Sequence, residues 1–316
     1  MKPRGVLVAN PNATSTSPWV RDIITRALSH EVDLEVVTTT HRGHAEELAG
    51  STKDIDLLVT LGGDGTINEV VNGLLNSGRS DLPMLATIPG GSANVMARAL
   101  GFPNDAIEAT GMILESLRTD SSHTVGLGNA EFTDESGGAR TQWFTINAGV
   151  GLDADVVAAM ESQRADGHAA TPVRYVRTAI GQYLRAPERT RGRLTLRLPG
   201  EEPVPGIALA IVQNTAPWTY LGPMPVNACP DASFDLGLDL FAPHSLGIVS
   251  TTRFGLRMIR GSHAGPVEGR LTLLHDRTEI RLTADEPLAL QIDGDHLGSI
   301  TEVVFRAAPK ALTIVG

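Results

Sequence analysis

Five residues, Gly62-Gly63-Asp64-Gly65-Thr66, follow an apolar run at 55–61 and precede Ile67, Val70, Val71, Leu74 and Leu75 at helical spacing. A turn of this composition between a strand and a helix aims backbone N–H groups and a positive helix end at one point, the chemistry of a phosphate cradle. Glycines let a phosphate chain approach without Cβ clashes. Asp64 at the strand end could hold Mg²⁺ or take a hydroxyl proton. A tight turn with a solvated Asp64 is the plainer alternative, and Thr66 would cap the helix that follows. A second glycine segment, Pro89-Gly90-Gly91-Ser92-Ala93-Asn94, follows the apolar run 84–88, with Ser92 able to cap a helix over 92–100. Far downstream, Asp293-Gly294-Asp295 follows Leu288, Leu290 and Ile292, whose alternation buries one face of a strand. Two acids there offer a proton acceptor, although Asp-Gly is also a common hairpin turn.

Several other chemistries are excluded. No glycine loop ends in Lys-Ser or Lys-Thr, and protein-kinase signatures are missing. Gly149-Val150-Gly151-Leu152-Asp153-Ala154 fits the dinucleotide pattern, but the downstream strand ending in an acid is lacking. A formal charge of −10 argues against nucleic acid as a partner. Cys229 is the single cysteine, so neither an intrachain disulfide nor a cysteine metal cluster can form. The opening residues are too short an apolar stretch for a signal peptide and no run reaches membrane-spanning length, which predicts a cytoplasmic protein that visits membranes from outside.

The elements that must position these residues come in two styles. Strands over 5–9, 34–39, 55–61 and 84–88 alternate with helices, the first capped by Ser17-Pro18 and another covering 44–49. This rhythm predicts a doubly wound parallel sheet with its ligand at the carboxyl ends of the strands. Beyond about residue 125 the segments 143–147, 192–198, 207–214, 234–241, 270–274, 279–283, 288–292 and 302–305 read as strands of a β-rich domain. Helices are expected there at 154–161, 173–184 and 245–260, with a loop around 163–172. Arg174, Arg177 and Arg185 line one face of the 173–184 segment and its end, and Arg189, Arg191 and Arg193 follow, a basic strip suited to anionic headgroups or simply to solvent.

Gly62–Thr66 with Asn68-Glu69 resembles the signature of the diacylglycerol kinase catalytic family, which includes bacterial lipid kinases, sphingosine kinases and ceramide kinases and is related in fold to NAD kinases and 6-phosphofructokinases. The resemblance implies an ATP-binding α/β domain over 1–125, a β-rich sandwich domain for the lipid over 126–305, and a tail, 306–316, that packs back onto the first. It implies ATP contacts at Asn10-Pro11, with Asn12 beside them, at Thr39 with Gly43-His44-Ala45, and at Gly62, Gly63, Asp64, Gly65, Thr66, Asn68, Glu69, Gly91 and Ser92. Asp293-Gly294-Asp295 is similar to the family's Asp-Gly-Glu, whose third residue accepts the proton of the lipid hydroxyl. Asp295 is one methylene shorter than that Glu; Asp64 is the competing base and Asp293 completes the catalytic set. The segment around Asp235 resembles a structural Mg²⁺ site, and Asn147 with Gly149–Ala154 a structural stretch. The implied function is ATP- and Mg²⁺-dependent phosphorylation of a lipid hydroxyl at a membrane surface. A kinase for a soluble acceptor such as NAD or a polyol, and an ATP-binding regulator that transfers nothing, stay open, as does a homo-oligomer.

Overall fold

The computed structural model describes residues 2–11, 13, 17–151, 192–260 and 271–316, and the chain divides into two units, Met1–Gly126 with Lys310–Gly316 and Leu127–Pro309. The first unit runs β1 (Arg4–Ala9), α1 (Pro18–Leu28), β2 (Asp33–Thr38), α2 (His44–Ser51), β3 (Leu57–Gly62), α3 (Asp64–Asn76), β4 (Met84–Pro89), α4 (Val95–Ala99) and α5 (Ala106–Thr119). The strands are parallel in the spatial order β2-β1-β3-β4, and Ile314 pairs in parallel with Leu85 on the far side of β4. β3 is buried along its whole length, which explains why Thr60 is its one polar side chain, whereas the edge strand β2 is largely wet. Ile24 and Leu28 of α1 and Ala109 and Ile113 of α5 pack on Leu7, Val59 and Ile88, and α2 and α3 pack side by side. After β1 the chain moves to β2 on one side and then returns to β3 on the other. A crevice therefore opens at the carboxyl ends of β1 and β3, where the winding reverses.

Local chemistry sets the helix ends. Ser17 accepts the amide of Val20 at 3.3 Å with Pro18 in the first turn. α3 starts earlier than the sequence indicated: Gly63 precedes its first turn and Thr66 lies inside that turn, so Thr66 is not the cap. Ser92 does not cap a helix either. Residues 91–94 close on themselves through Asn94, in the left-handed region at φ 50°, and α4 begins only at Val95. The sequence reading did not foresee α5, which is capped by the Asp105 carboxylate on the amides of Ile107 (2.9 Å) and Glu108 (3.0 Å).

The second unit is antiparallel. Its elements are β5 (Ser122–Thr133, which starts in the first unit), β6 (Ala139–Phe144), β7 (Asn147–Gly151), β8 (Leu194–Arg197), β9 (Val204–Ile207), β10 (Leu209–Gln213), β11 (Thr219–Leu221), β12 (Met224–Val226), β13 (Leu238–Pro243), α6 (Ile248–Arg260), β14 (Leu271–Arg277), β15 (Glu279–Ile292) and β16 (Asp295–Val315, which ends in the first unit). The two strands expected at 279–283 and 288–292 are one strand, β15, with a register shift between Thr283 and Leu288. Its first half pairs with β8 and its second with β7, so it bends around a core that includes Phe144, Leu196, Val212, Leu240, Leu290 and Phe305. Alternation along β10 and β13 turns Ile211 and Phe241 to the other face, where Phe254 and Met258 of α6 cover them. β13 begins at Leu238 rather than 234, because the amides of Asp235 and Leu236 bond back to Ser233 in a turn.

The helices expected at 154–161 and 173–184, the loop at 163–172, Asn12 and the arginines from 174 to 191 lie outside the described residues. Arg193 is described and pairs with Glu286 at 3.0 Å. No helix among the described residues is long and apolar enough to cross a membrane.

Candidate active site

The two glycine segments meet at the carboxyl ends of neighbouring strands. The Gly90 amide bonds the Gly62 carbonyl at 2.8 Å, and a Cβ on Gly91 would stand 2.6 Å from the Gly63 Cα. A side chain at Gly91 would therefore drive the two backbones apart. Asp64 reinforces the contact by accepting the Met96 amide at 3.0 Å, so the acid of the first turn steadies the start of α4. Asn94 locks the second turn, accepting the Gly91 amide (2.8 Å) and donating to the Gly91 carbonyl (2.9 Å) and to Asn104 (2.7 Å). The sequence signal for this role of Asn94 is a short amide side chain three residues after a glycine.

The remaining expected contacts of this unit gather at the same edge. The Asn10 amide bonds the Leu61 carbonyl (3.0 Å) and its side chain donates to the Thr66 hydroxyl (3.1 Å), tying β1 to the first turn of α3 across the crevice. Pro11 is exposed in the turn that the Ala13 amide closes on the Asn10 carbonyl. Thr39 is buried at the end of β2, with its amide on Ala9. Glu69 reaches across to the loop before α2 and accepts the amides of Gly43 (2.9 Å) and Ala45 (3.2 Å). Asn68 is buried and receives the side chain of Asn72 at its carbonyl and its amide oxygen. Ser92 and Gly65 are exposed, and the space in front of Gly65 is open. The arrangement fits a phosphate chain: backbone without side chains, the positive end of α3, and a crevice at the reversal of the sheet.

In the second unit Asp293 and Gly294, at φ 47° and 87°, form the two central residues of a hairpin between β15 and β16, with Ile292 opposite Asp295. The Asp293 carboxylate turns inward. Its oxygens accept the Thr145 amide (2.7 Å), the Thr145 hydroxyl (2.8 Å), the Ile146 amide (2.9 Å) and the Asn147 amide (3.0 Å). Enclosure pushes this carboxyl above its ordinary value against the pull of those donors. Gln291 adds a bond to Asn147 (2.8 Å) and accepts the Gly294 amide (2.9 Å). Of the two acids in the turn, Asp293 is thus built into the frame, while Asp295 stands half-buried at the start of β16. Thr145 and Gln291 escaped the sequence reading, since nothing local marks them.

Asp235 lies exposed in its turn, and the described residues contain no group of three or more His, Cys, Asp or Glu side chains placed to hold a metal ion. A Mg²⁺ ion at Asp64 would need phosphate oxygens among its ligands.

Paired glycine turns at the carboxyl ends of neighbouring parallel strands suit the phosphates of a nucleotide, and residues 4–129 of this chain match the family model of the diacylglycerol kinase catalytic domain. Diacylglycerol kinases of Staphylococcus aureus strains JH9 and NCTC 8325 are 43% identical to this chain over 67 residues, a segment that spans 21% of this chain and 21% of each relative. A diacylglycerol kinase from Bacillus anthracis strain Sterne shares the fold over 99% of this chain and 96% of its own, with a TM-score of 0.69 at 22% identity. An NAD kinase from Archaeoglobus fulgidus, solved in complex with ATP, superposes with a TM-score of 0.50 at 12% identity over 99% of this chain and 93% of its own. Both likenesses concern the fold, an N-terminal α/β domain followed by a strand-rich region.

Proposed function

We propose that this chain is an ATP-dependent kinase that phosphorylates a lipid hydroxyl. The observation that carries the reading is the contact between the two glycine turns at the ends of β3 and β4, beside the reversal of the sheet and inside the segment that matches the diacylglycerol kinase catalytic-domain model. Gly62–Thr66, Gly91 and Ser92 would receive the phosphates of ATP, with Asn10, Pro11, Thr39 and Glu69 shaping the crevice beside them. Mg²⁺, when bound, would neutralise phosphate charge near Asp64. Transfer asks the protein mainly for in-line placement. The strand-rich unit would bring the acceptor, Asp295 would take the hydroxyl proton as the oxygen bonds to the γ-phosphorus, and ADP would leave with the electrons of the broken P–O bond. Asp293 is assigned to holding the turn rather than to proton transfer, because its oxygens already accept four hydrogen bonds. A lipid acceptor would make the protein a peripheral visitor to a membrane surface.

The test is transfer from labelled ATP to diacylglycerol, monoacylglycerol, sphingoid bases, ceramide, phosphatidylglycerol and NAD, with Asp64→Asn, Asp295→Asn and Asp295→Glu alongside. Loss of a general base predicts a fall in kcat of about 10²–10⁴-fold for Asp295→Asn with ATP affinity kept. Wild-type turnover by that variant removes Asp295 as the base. Label entering NAD alone, or no acceptor, refutes the lipid-kinase reading.

A further inference from the structure

Helix α6 carries two apolar surfaces, and only one of them is covered. Phe254 and Met258 are buried on the sheet, with the Phe254 and Phe241 rings edge to face at 5.7 Å. Successive helical residues turn by about 100°, which puts Leu256 on the side opposite Phe254, and Ile259 next to it. These two are 47% and 40% exposed. Arg253, exposed, and Arg257, half-buried, stand on the strip between the two faces, and no acidic residue occurs over 248–260 although the chain has 36 of them. Met224 of β12, the strand that α6 packs along, is 40% exposed as well.

We propose that the outer face of α6 docks the strand-rich unit on an anionic lipid bilayer, with Leu256 and Ile259 entering the headgroup boundary and the arginines meeting lipid phosphates. The proposal rests on the lipid-kinase reading, which requires the protein to reach an acceptor held in a membrane. Charge complementarity selects this occupant: an apolar pair flanked by arginines, on a helix that itself carries no acid, matches a surface that is negative outside and apolar beneath. A second copy of the chain is a poorer match, since a stable protein interface needs about 800 Å² per partner with a sizeable apolar centre. A bilayer can accept two side chains.

The experiment is co-sedimentation of the full chain with vesicles of equimolar phosphatidylglycerol and phosphatidylcholine, and of phosphatidylcholine alone. Two half-exposed side chains correspond to about a 30-fold loss of partitioning for the double variant Leu256→Ser/Ile259→Ser. Arg253→Gln is expected to weaken binding about fivefold on the anionic vesicles and to leave phosphatidylcholine unaffected. All three positions are on the surface, and unchanged thermal unfolding verifies that the variants fold. Wild-type protein that stays in the supernatant, or a double variant that sediments like wild type, overturns the proposal. So does a double variant that changes oligomeric state without vesicles, which would assign the face to self-association. A short-chain diacylglycerol dispersed as monomers separates the two readings. Equal turnover by wild type and double variant, with vesicle binding lost, supports docking, whereas vesicle binding by a wild type that phosphorylates no lipid refutes the kinase reading and leaves the docking face standing.

Discussion

Replacing Asp293 by Asn tests whether the hairpin is held by an ionised carboxylate. The backbone should not object, because Asn tolerates φ 47° as well as Asp does and Asn-Gly suits a two-residue hairpin turn. The side chain should. Asp293 accepts four hydrogen bonds, two on each oxygen, and Asn keeps one oxygen while turning an NH₂ group toward two donors. Two lost bonds to a charged acceptor, at about 1.5 kcal/mol each, give about 3 kcal/mol, and the facing donors can raise this further. Urea unfolding followed by tryptophan fluorescence can isolate the unit, since Trp143 and Trp218 lie in the second unit and a Trp19→Phe background silences the first. The expected result is a lower midpoint at unchanged slope. If enclosure instead keeps the carboxyl protonated, the amide becomes a near-isostere. A midpoint shift worth less than about 1 kcal/mol would then refute the assignment of Asp293 as an ionised anchor.

Two other outcomes follow from the geometry. Gly91→Ala puts a methyl 2.6 Å from the Gly63 Cα, so both glycine turns must shift; a loss of ATP affinity read by calorimetry is expected, with a stability cost of about 1–3 kcal/mol. His275 bonds the buried Asp239 carboxylate at 2.9 Å, and that bond raises its pKa, helped by the charges of Asp231 and Asp276. A group whose folded pKa is raised stabilises fully below its unfolded value, about 6.5, and loses that contribution as pH rises through the folded value. Wild type should therefore lose its Tm advantage over His275→Gln as the pH rises above about 6.5; a constant difference counts against the ion pair.

β1, β3 and β4 were legible because burial leaves nearly continuous apolar runs, and the glycine turns were legible because the close approach of Gly91 to Gly63 admits no side chain. β15 was misread as two strands for a physical reason: Ala284-Asp285-Glu286-Pro287 looks like a turn, yet it occupies a register irregularity where the strand bends and Pro is tolerated. α5 was not expected although Asp105 caps it and Ala106, Ala109 and Ile113 stand at helical spacing, because Gly111 in its middle weakens the helical pattern. Which acid of Asp293-Gly294-Asp295 turns inward could not be read at all. That choice depends on the left-handed backbone at Asp293 and on amides supplied by Thr145–Asn147, far away in sequence.

The pairing of Ile314 with Leu85 sets an order of events during synthesis. Leu312, Ile314 and Val315 are buried in the first unit, and the hydroxyl of Ser121 donates to the Gly316 carbonyl at 3.0 Å. On a ribosome, residues 1–126 would emerge with the free edge of β4 still waiting for the segment Lys310–Gly316, more than two hundred residues behind it. An open parallel edge invites mispairing. The first unit is thus begun before the second and among the last to be finished, and a nascent chain stalled before residue 310 should be a client for chaperones rather than a working domain.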